Sequence, residues 1–535
     1  MRGGTAPAAV AARRVVRPPL WLSATALACV LAAIRVVVVV TVPYDRAVGL
    51  FDDDAFYYFG VATHIAAGDG STFNGLDPTN GYHPLWLVVL IPVFAVAQGH
   101  LALTVVTLIS AVLLVASGRM IDRIGVSTGR PVLLTLCAAP LLVVGTAGPS
   151  FWFSGMETGL LLFALLWLAA TYLRTDGFTA EWFTSGHAVS AGALMSLAVL
   201  SRLDAVFPMV LLGLLATVTW RRAGRPWLQL TISLAAIPAT TLISYLAVNF
   251  ELFDTMLPVS GQAKALGGDG VNLGVTGQFL SSPVLFGQST WLGALAIAVV
   301  GAALLLRRDG ALSHAARFGA VVLLGGVCTV VYYALTSSWQ LWPWYFSSAP
   351  LAIALAGPVL LAKVNVPGRK TAVLAVCMLV IATTGVNGAR AVQGGVARSA
   401  FIEAGPAIAA RIDALVPLGA PIAMGDRAGS VGYHLKRPLV HLEGLVNSAD
   451  YLDALRNSTV PSFLADRGVG LYARGDSDPG TADPATPDCA SFVEPQQGGG
   501  AKLKIVVCAR DLLLTQPLSD GTSYRVWRYR DELNG

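Results

Sequence analysis

Apolar runs follow one another along the first 390 positions, joined by short polar stretches that carry many of the arginines. The first extends from Leu20 to Val42. Others lie near 84–98, 101–118, 131–147, 157–173, 187–200, 205–219, 228–249, 284–306, 316–336, 343–362 and 371–389. Such runs predict membrane-crossing helices, since a bilayer core needs about 20 apolar residues in helical form. Counting every run gives twelve crossings and puts the C-terminus inside. The basic residues argue for one fewer. Arg119, Arg123 and Arg130 form one cluster, and Arg221, Arg222 and Arg225 a second. Arg307, Arg308 and Arg317 form a third, and Lys363, Arg369 and Lys370 a fourth. All four face the cytoplasm only if one early run does not cross. The 84–98 run is short for a span and is expected to be re-entrant or interfacial.

The pattern therefore predicts a polytopic α-helical membrane protein of about eleven transmembrane helices, within a range of 10–13. The first 19 residues are basic, with Arg2, Arg13, Arg14 and Arg17, and no small-residue cleavage site ends the first run before Pro43. This reads as an uncleaved signal anchor with a cytoplasmic N-terminus. Residues 20–390 form the transmembrane domain, and its stretches 44–83 and 250–283 are expected on the outer side. From 391 to 535 the pattern changes to charged residues, Pro and Gly punctuation, and short runs such as Lys504-Ile505-Val506-Val507. That tail is long enough for a small folded α/β domain outside the membrane.

Composition narrows the class. The chain is 55% hydrophobic and 13% charged, with a mean hydropathy of +0.65, whereas soluble domains carry roughly 25% charged residues. A disordered chain, a coiled coil and an ordinary cytosolic enzyme are excluded. A net charge of +5 gives no nucleic-acid footprint. Six cysteines are too few for a disulfide scaffold. Cys489 and Cys508 lie in the tail, where an oxidising compartment permits a disulfide; two free thiols are an equal alternative.

Chemistry concentrates in the first outer loop, which begins Phe51-Asp52-Asp53-Asp54-Ala55-Phe56-Tyr57-Tyr58. Adjacent carboxylates at a membrane surface raise one another's pKa, as a general base near neutral pH requires. The bland reading is a solvated acidic loop that stops the first span. A Gly-rich turn follows at Gly68-Asp69-Gly70, and then Asn80-Gly81-Tyr82-His83-Pro84-Leu85-Trp86. The Asp-Asp-x-Phe-Tyr stretch with this downstream segment resembles the bacterial GT-C glycosyltransferases. These include protein O-mannosyltransferases, aminoarabinose transferases and mycobacterial arabinofuranosyltransferases, and use polyprenyl-phosphate-linked sugars.

That resemblance implies a GT-C-like fold and an extracytoplasmic transfer of a pentose or hexose to a cell-envelope glycan, lipid or protein in the plasma membrane. By position Asp53 matches the family's first-loop acid best, as general base or metal-associated acid, with Asp54 beside it. Glu157, in Ser154-Gly155-Met156-Glu157-Thr158, takes the family's second acidic position; otherwise it is a helix N-terminal acid. Where a family member binds a divalent cation (Mg, Mn or Ca), two such acids hold it, here Asp53 and Glu157. No His/Cys cluster of zinc type is present. Arg202 and Lys264 are the candidates for the donor phosphate. Arg202 lies in Ser201-Arg202-Leu203-Asp204, where a helix-hairpin salt bridge is the alternative, and Lys264 in Pro258-Val259-Ser260-Gly261-Gln262-Ala263-Lys264. Asn80, Tyr82, His83 and Tyr345 are candidate substrate contacts, although a structural role for His83 and an interface belt around Trp339, Trp342, Trp344 and Tyr345 are the simpler readings. Gly425-Asp426-Arg427-Ala428-Gly429 in the tail lacks a phosphate-loop signature and is expected to pack over the outer mouth or meet the acceptor. The competing function is a transporter or lipid flippase with an acidic cation path, but no two halves of the chain look alike.

Overall fold

The computed structural model describes residues 22–143, 151–267, 270–281, 291–306, 310–363, 400–483, 486–495 and 502–534. The run at 371–389, the third basic cluster's Arg307 and Arg308, and Arg369 and Lys370 lie outside the described residues. The helices are α1 (Ala24–Thr41), α2 (Tyr44–Val48), α3 (Asp53–Ala67), α4 (Pro84–Val96), α5 (Gly99–Ser127), α6 (Pro131–Val143), α7 (Thr158–Arg174), α8 (Ser185–Ser201), α9 (Val206–Arg222), α10 (Trp227–Phe253), α11 (Val259–Ala265), α12 (Gly274–Ser281), α13 (Leu292–Leu306), α14 (Ala311–Thr336) and α15 (Ser348–Lys363). Among the described residues, six helical stretches are long and apolar enough to cross a membrane, and α4, α6, α7, α8 and α13 are shorter apolar helices.

The apolar surface has the distribution that lipid requires. In α1, Ala24, Ala28, Leu31 and Ala32 face the interior, while Val30, Ile34, Val37 and Val40 are each more than half exposed. Along α10 only Leu230, Leu234 and Asn249 are buried. Continuous apolar surface of this extent would be untenable in water. The protein is a multi-pass membrane protein.

Helix pairing shows why the chain gathers its loops. Asp122 near the end of α5 accepts from the Ala24 and Thr25 N–H groups at the start of α1, at 2.9 and 3.0 Å. At the other end, His100 Nε2 lies 2.7 Å from the Val39 carbonyl. The two helices are therefore antiparallel neighbours, and the segment between them leaves and re-enters at one face. That segment, which holds α3 and α4, thus makes no net crossing, and the 13 residues of α4 span only about 20 Å.

The tail folds into α16 (Ala400–Asp413), β1 (Ile422–Met424), α17 (Gly429–His434), β2 (Leu439–His441), α18 (Ala449–Arg456), α19 (Val460–Asp466), β3 (Leu471–Asp476), β4 (Thr481–Asp483), β5 (Thr486–Glu494), β6 (Leu503–Cys508), β7 (Leu512–Pro517) and β8 (Ser523–Arg528). One sheet has the order β2-β1-β3-β8-β7, parallel among its first three strands and antiparallel beyond; the other is β4-β5-β6. A disulfide joins Cys489 and Cys508, which face each other across β5 and β6.

Strand alternation divides the tail's apolar residues between two cores. Ile422, Met424, Leu471, Ala473, Tyr524 and Val526 pack in one cluster with Phe56, Phe59, Trp86 and Phe94 of the first loop region. Ala423, Tyr472 and Trp527 point the other way, toward Tyr451, Phe463 and Phe492. The tail thus shares a core with α3 and α4, which fixes it over the loops.

Candidate active site

Where α3 meets the tail, the consecutive carboxylates part company. Asp53 turns to the tail: its two oxygens accept the N–H groups of Gly429 and Ser430, each at 2.8 Å. The motif glycine has a steric reason, because a Cβ at Gly429 would sit 2.1 Å from the Asp53 carbonyl oxygen. Burial raises the Asp53 carboxyl most; the two N–H bonds oppose it, Asp54 and Asp426 add to it, and the result is about 7. Asp54, one helical step on, lines a partly open cavity of ≈ 570 Å³. Burial likewise raises it, the Lys264 ammonium pulls it back, and it settles at about 6. Asp52 donates its N–H to the Ser154 carbonyl at 3.0 Å, tying the loop to the corner that carries Glu157.

Glu157 is wholly buried and its oxygens are engaged. Arg202 Nη1 donates to Oε1 at 2.7 Å, and the Tyr58 hydroxyl to Oε2 at 2.9 Å. Arg202 also grips Asp204 through Nε at 3.1 Å and Nη2 at 2.9 Å. The chain breaks from α8 into a short turn at Leu203, which lets this guanidinium meet two carboxylates. A charge so deep is tolerable only when paired in this way. The Leu203 N–H donates to His83 Nδ1 at 3.3 Å, so Nε2 carries the proton and lies 3.7 Å from Glu157 Oε1. Burial pushes the His83 imidazole below its ordinary range and keeps it neutral near pH 7.

Lys264 arrives from α11. Its spacing of four from Ser260 puts both on one helical face, and both line the cavity. Lys264 Nζ donates to the Tyr345 hydroxyl at 3.0 Å, and Arg202 Cζ lies 4.6 Å from the centre of the Tyr345 ring. Burial alone would lower the ammonium, but Tyr345 and Asp54 outweigh it and hold Lys264 above its usual value. Tyr345 therefore bridges the two cations. The aromatic cluster divides: Trp344 and Tyr345 line the cavity, Trp339 is buried, and Trp342 is exposed and stacks on Trp344.

Most of the sequence-derived candidates meet here: Asp54, Tyr82, His83, Glu157, Arg202, Lys264 and Tyr345 share the cavity wall. Asp53 lies behind it, against the tail. Asn80 lies elsewhere too: its side chain takes the Val259 N–H at 2.9 Å and donates to Asn249 at 3.2 Å, clamping the start of α11 to the first loop. Sequence reasoning passed over Tyr58, Leu445 and Val446. Tyr58 had a signal, its place one turn along a helix from Asp54; the tail residues had none, since only folding brings them to the cavity.

A divalent cation between Asp53 and Glu157 does not suit these side chains. Both oxygens of each already accept strong donors, and among the described residues no group of three His, Cys, Asp or Glu has a metal-holding arrangement.

No family model and no curated protein matches the sequence. Solved structures do. The structure of ArnT from Cupriavidus metallidurans bound to undecaprenyl phosphate matches with a TM-score of 0.52 and 16% identity, over 96% of this chain and 100% of that one. This chain has the ArnT fold. The apo ArnT structure gives a TM-score of 0.50 at 15% identity, over 96% and 99% of the two chains. The oligosaccharyltransferase of Archaeoglobus fulgidus in complex with Zn and sulfate gives 0.47 at 15%, over 84% and 67%. The polytopic helical membrane domain with a C-terminal α/β domain expected from the sequence is the fold shared with ArnT.

Proposed function

We propose that this protein is a GT-C-type glycosyltransferase that moves a sugar from a polyprenyl phosphate to a cell-envelope acceptor, with its cavity and tail on the extracytoplasmic side. One observation carries the reading: the Asp54 carboxylate shares a walled cavity with two cations bridged by Tyr345, in a chain that has the ArnT fold. ArnT has been crystallised with undecaprenyl phosphate, and the cations here suit the same kind of headgroup.

Asp54 is the general base in this proposal. It takes the proton of the acceptor hydroxyl as the oxygen bonds to the anomeric carbon, and the bond from that carbon to the phosphate oxygen breaks. The leaving lipid phosphate keeps the electron pair and is met by Lys264 and Arg202. Glu157 and Asp204 hold Arg202, and Tyr58 holds Glu157 with His83 alongside. Asp53 positions the tail, and no step passes through a metal.

Transfer by the purified full-length protein tests it, with decaprenyl-phosphate-linked arabinofuranose and mannose as donors. Asp54→Asn is expected to lower transfer by about 10²–10⁴-fold while donor binding persists. Transfer lost in Asp53→Asn but retained in Asp54→Asn would reassign the base.

A further inference from the structure

The tail contributes a wall to this cavity that differs from the rest. Leu445 and Val446, between β2 and α18, line it beside Gly81 and Tyr82. The approach is so close that a Cβ on Gly81 would lie 1.8 Å from the Leu445 carbonyl oxygen. The loop is rigid. Asn447 Nδ2 donates to the His441 carbonyl at 3.1 Å, the Tyr451 hydroxyl donates to the Leu442 carbonyl at 2.6 Å, and Gly444 takes a left-handed φ of 77°.

The two loop residues that line the cavity are apolar, and the one charge in the loop, the buried Glu443, is a carboxylate rather than a cation. The cations among the described lining residues, Arg202 and Lys264, are both placed around Tyr345, and Arg202 is already shared by Glu157 and Asp204. One phosphate headgroup uses what remains of that positive charge. A second anion on the loop side would face Asp54, with Glu443 in the loop behind, and no further cation among the described lining residues, in a site where burial strengthens repulsion.

Resting on the glycosyltransferase reading, we propose that the 442–447 loop, with Gly81 and Tyr82, is the acceptor wall and that it selects an uncharged hydroxyl-bearing acceptor against a phosphorylated one. Discrimination comes from missing counter-charge, a repulsive element that an apolar wall supplies at no structural cost.

The experiment uses the full-length protein in nanodiscs, the two decaprenyl-phosphate donors above, and one neutral mannose- or arabinose-based oligosaccharide with its phosphate monoester as paired acceptors. Wild type is expected to favour the neutral acceptor by at least about ten-fold in kcat/KM. Leu445→Lys should narrow that ratio by raising use of the phosphorylated acceptor, and Leu445→Ala should raise the neutral acceptor's KM; neither should change donor affinity or melting temperature. A wild-type preference for the phosphorylated acceptor, no transfer to either acceptor with donor binding intact, or an unchanged ratio in folded Leu445→Lys overturns the proposal. Failure of wild type to bind either donor instead defeats the glycosyltransferase reading beneath it.

Discussion

The two walls of the cavity are built on opposite principles. The membrane-domain wall holds charge in place: Arg202 sits between Glu157 and Asp204, and Lys264 is anchored on Tyr345. The tail side works through backbone proximity and apolar side chains, with Leu445 against Gly81 at the cavity and Gly429 against Asp53 behind it. Charge next to a bilayer needs partners fixed on rigid helices, because an unpaired one is costly. A covering domain needs shape, and glycine permits the approach. The lesson is that adjacent residues can serve separate tasks, as Asp54 faces the cavity and Asp53, one step back on α3, docks the tail behind it.

The largest test of this contrast is Asp54→Asn. A base contributes about 10²–10⁴-fold, so kcat should fall by that order with little change in melting temperature. Asp54 acts as the carboxylate, and its pKa is raised from 3.8 to about 6. Wild-type kcat/KM should therefore climb as pH rises through about 6 and level off above it; a profile flat from pH 5 to 8 would count against this base. Next comes Arg202→Leu, which strands two carboxylates and should cost about 3–5 kcal/mol, read as a lower unfolding midpoint of the full-length protein. Glu157→Gln in the same background should recover part of the loss, since it removes one stranded charge. Lys264→Ala should weaken binding of a polyprenyl phosphate by about 10–100-fold, as one charge-assisted bond is worth about 1.5–3 kcal/mol, while leaving the tail docked. Gly429→Ala probes the tail side. Its methyl group must displace the Asp53 backbone, at about 1–3 kcal/mol, so protease should cut the tail faster while donor affinity stays close to wild type. If Gly429→Ala and Lys264→Ala gave the same pattern of losses, the two sides would not be separable.

Particular residues show how far sequence reading reached. Arg202 stood out because a charge within an apolar stretch has few innocent explanations, whereas Glu157 and Lys264 stood out through the resemblance of their segments to GT-C proteins; all three line the cavity. The short 84–98 run folds as the 13-residue helix α4, shorter than the six span-length stretches among the described residues. Asp53 and Asp54 were found as a pair but could not be told apart. Their separation depends on the direction of two side chains relative to a helix 376 residues away. Asn80 looked like a ligand contact because amides often are, yet it clamps one loop to another.

The sequence by itself determined the membrane class, the segments that carry charge, and their grouping on one face, because hydropathy and charge asymmetry are local properties that a bilayer reads directly. Only the tertiary structure decided which carboxylate faces the cavity, that Tyr345 links Lys264 to Arg202, and that Leu445 and Val446 complete the wall. Those facts depend on contacts between segments far apart in the chain, and no local pattern encodes them.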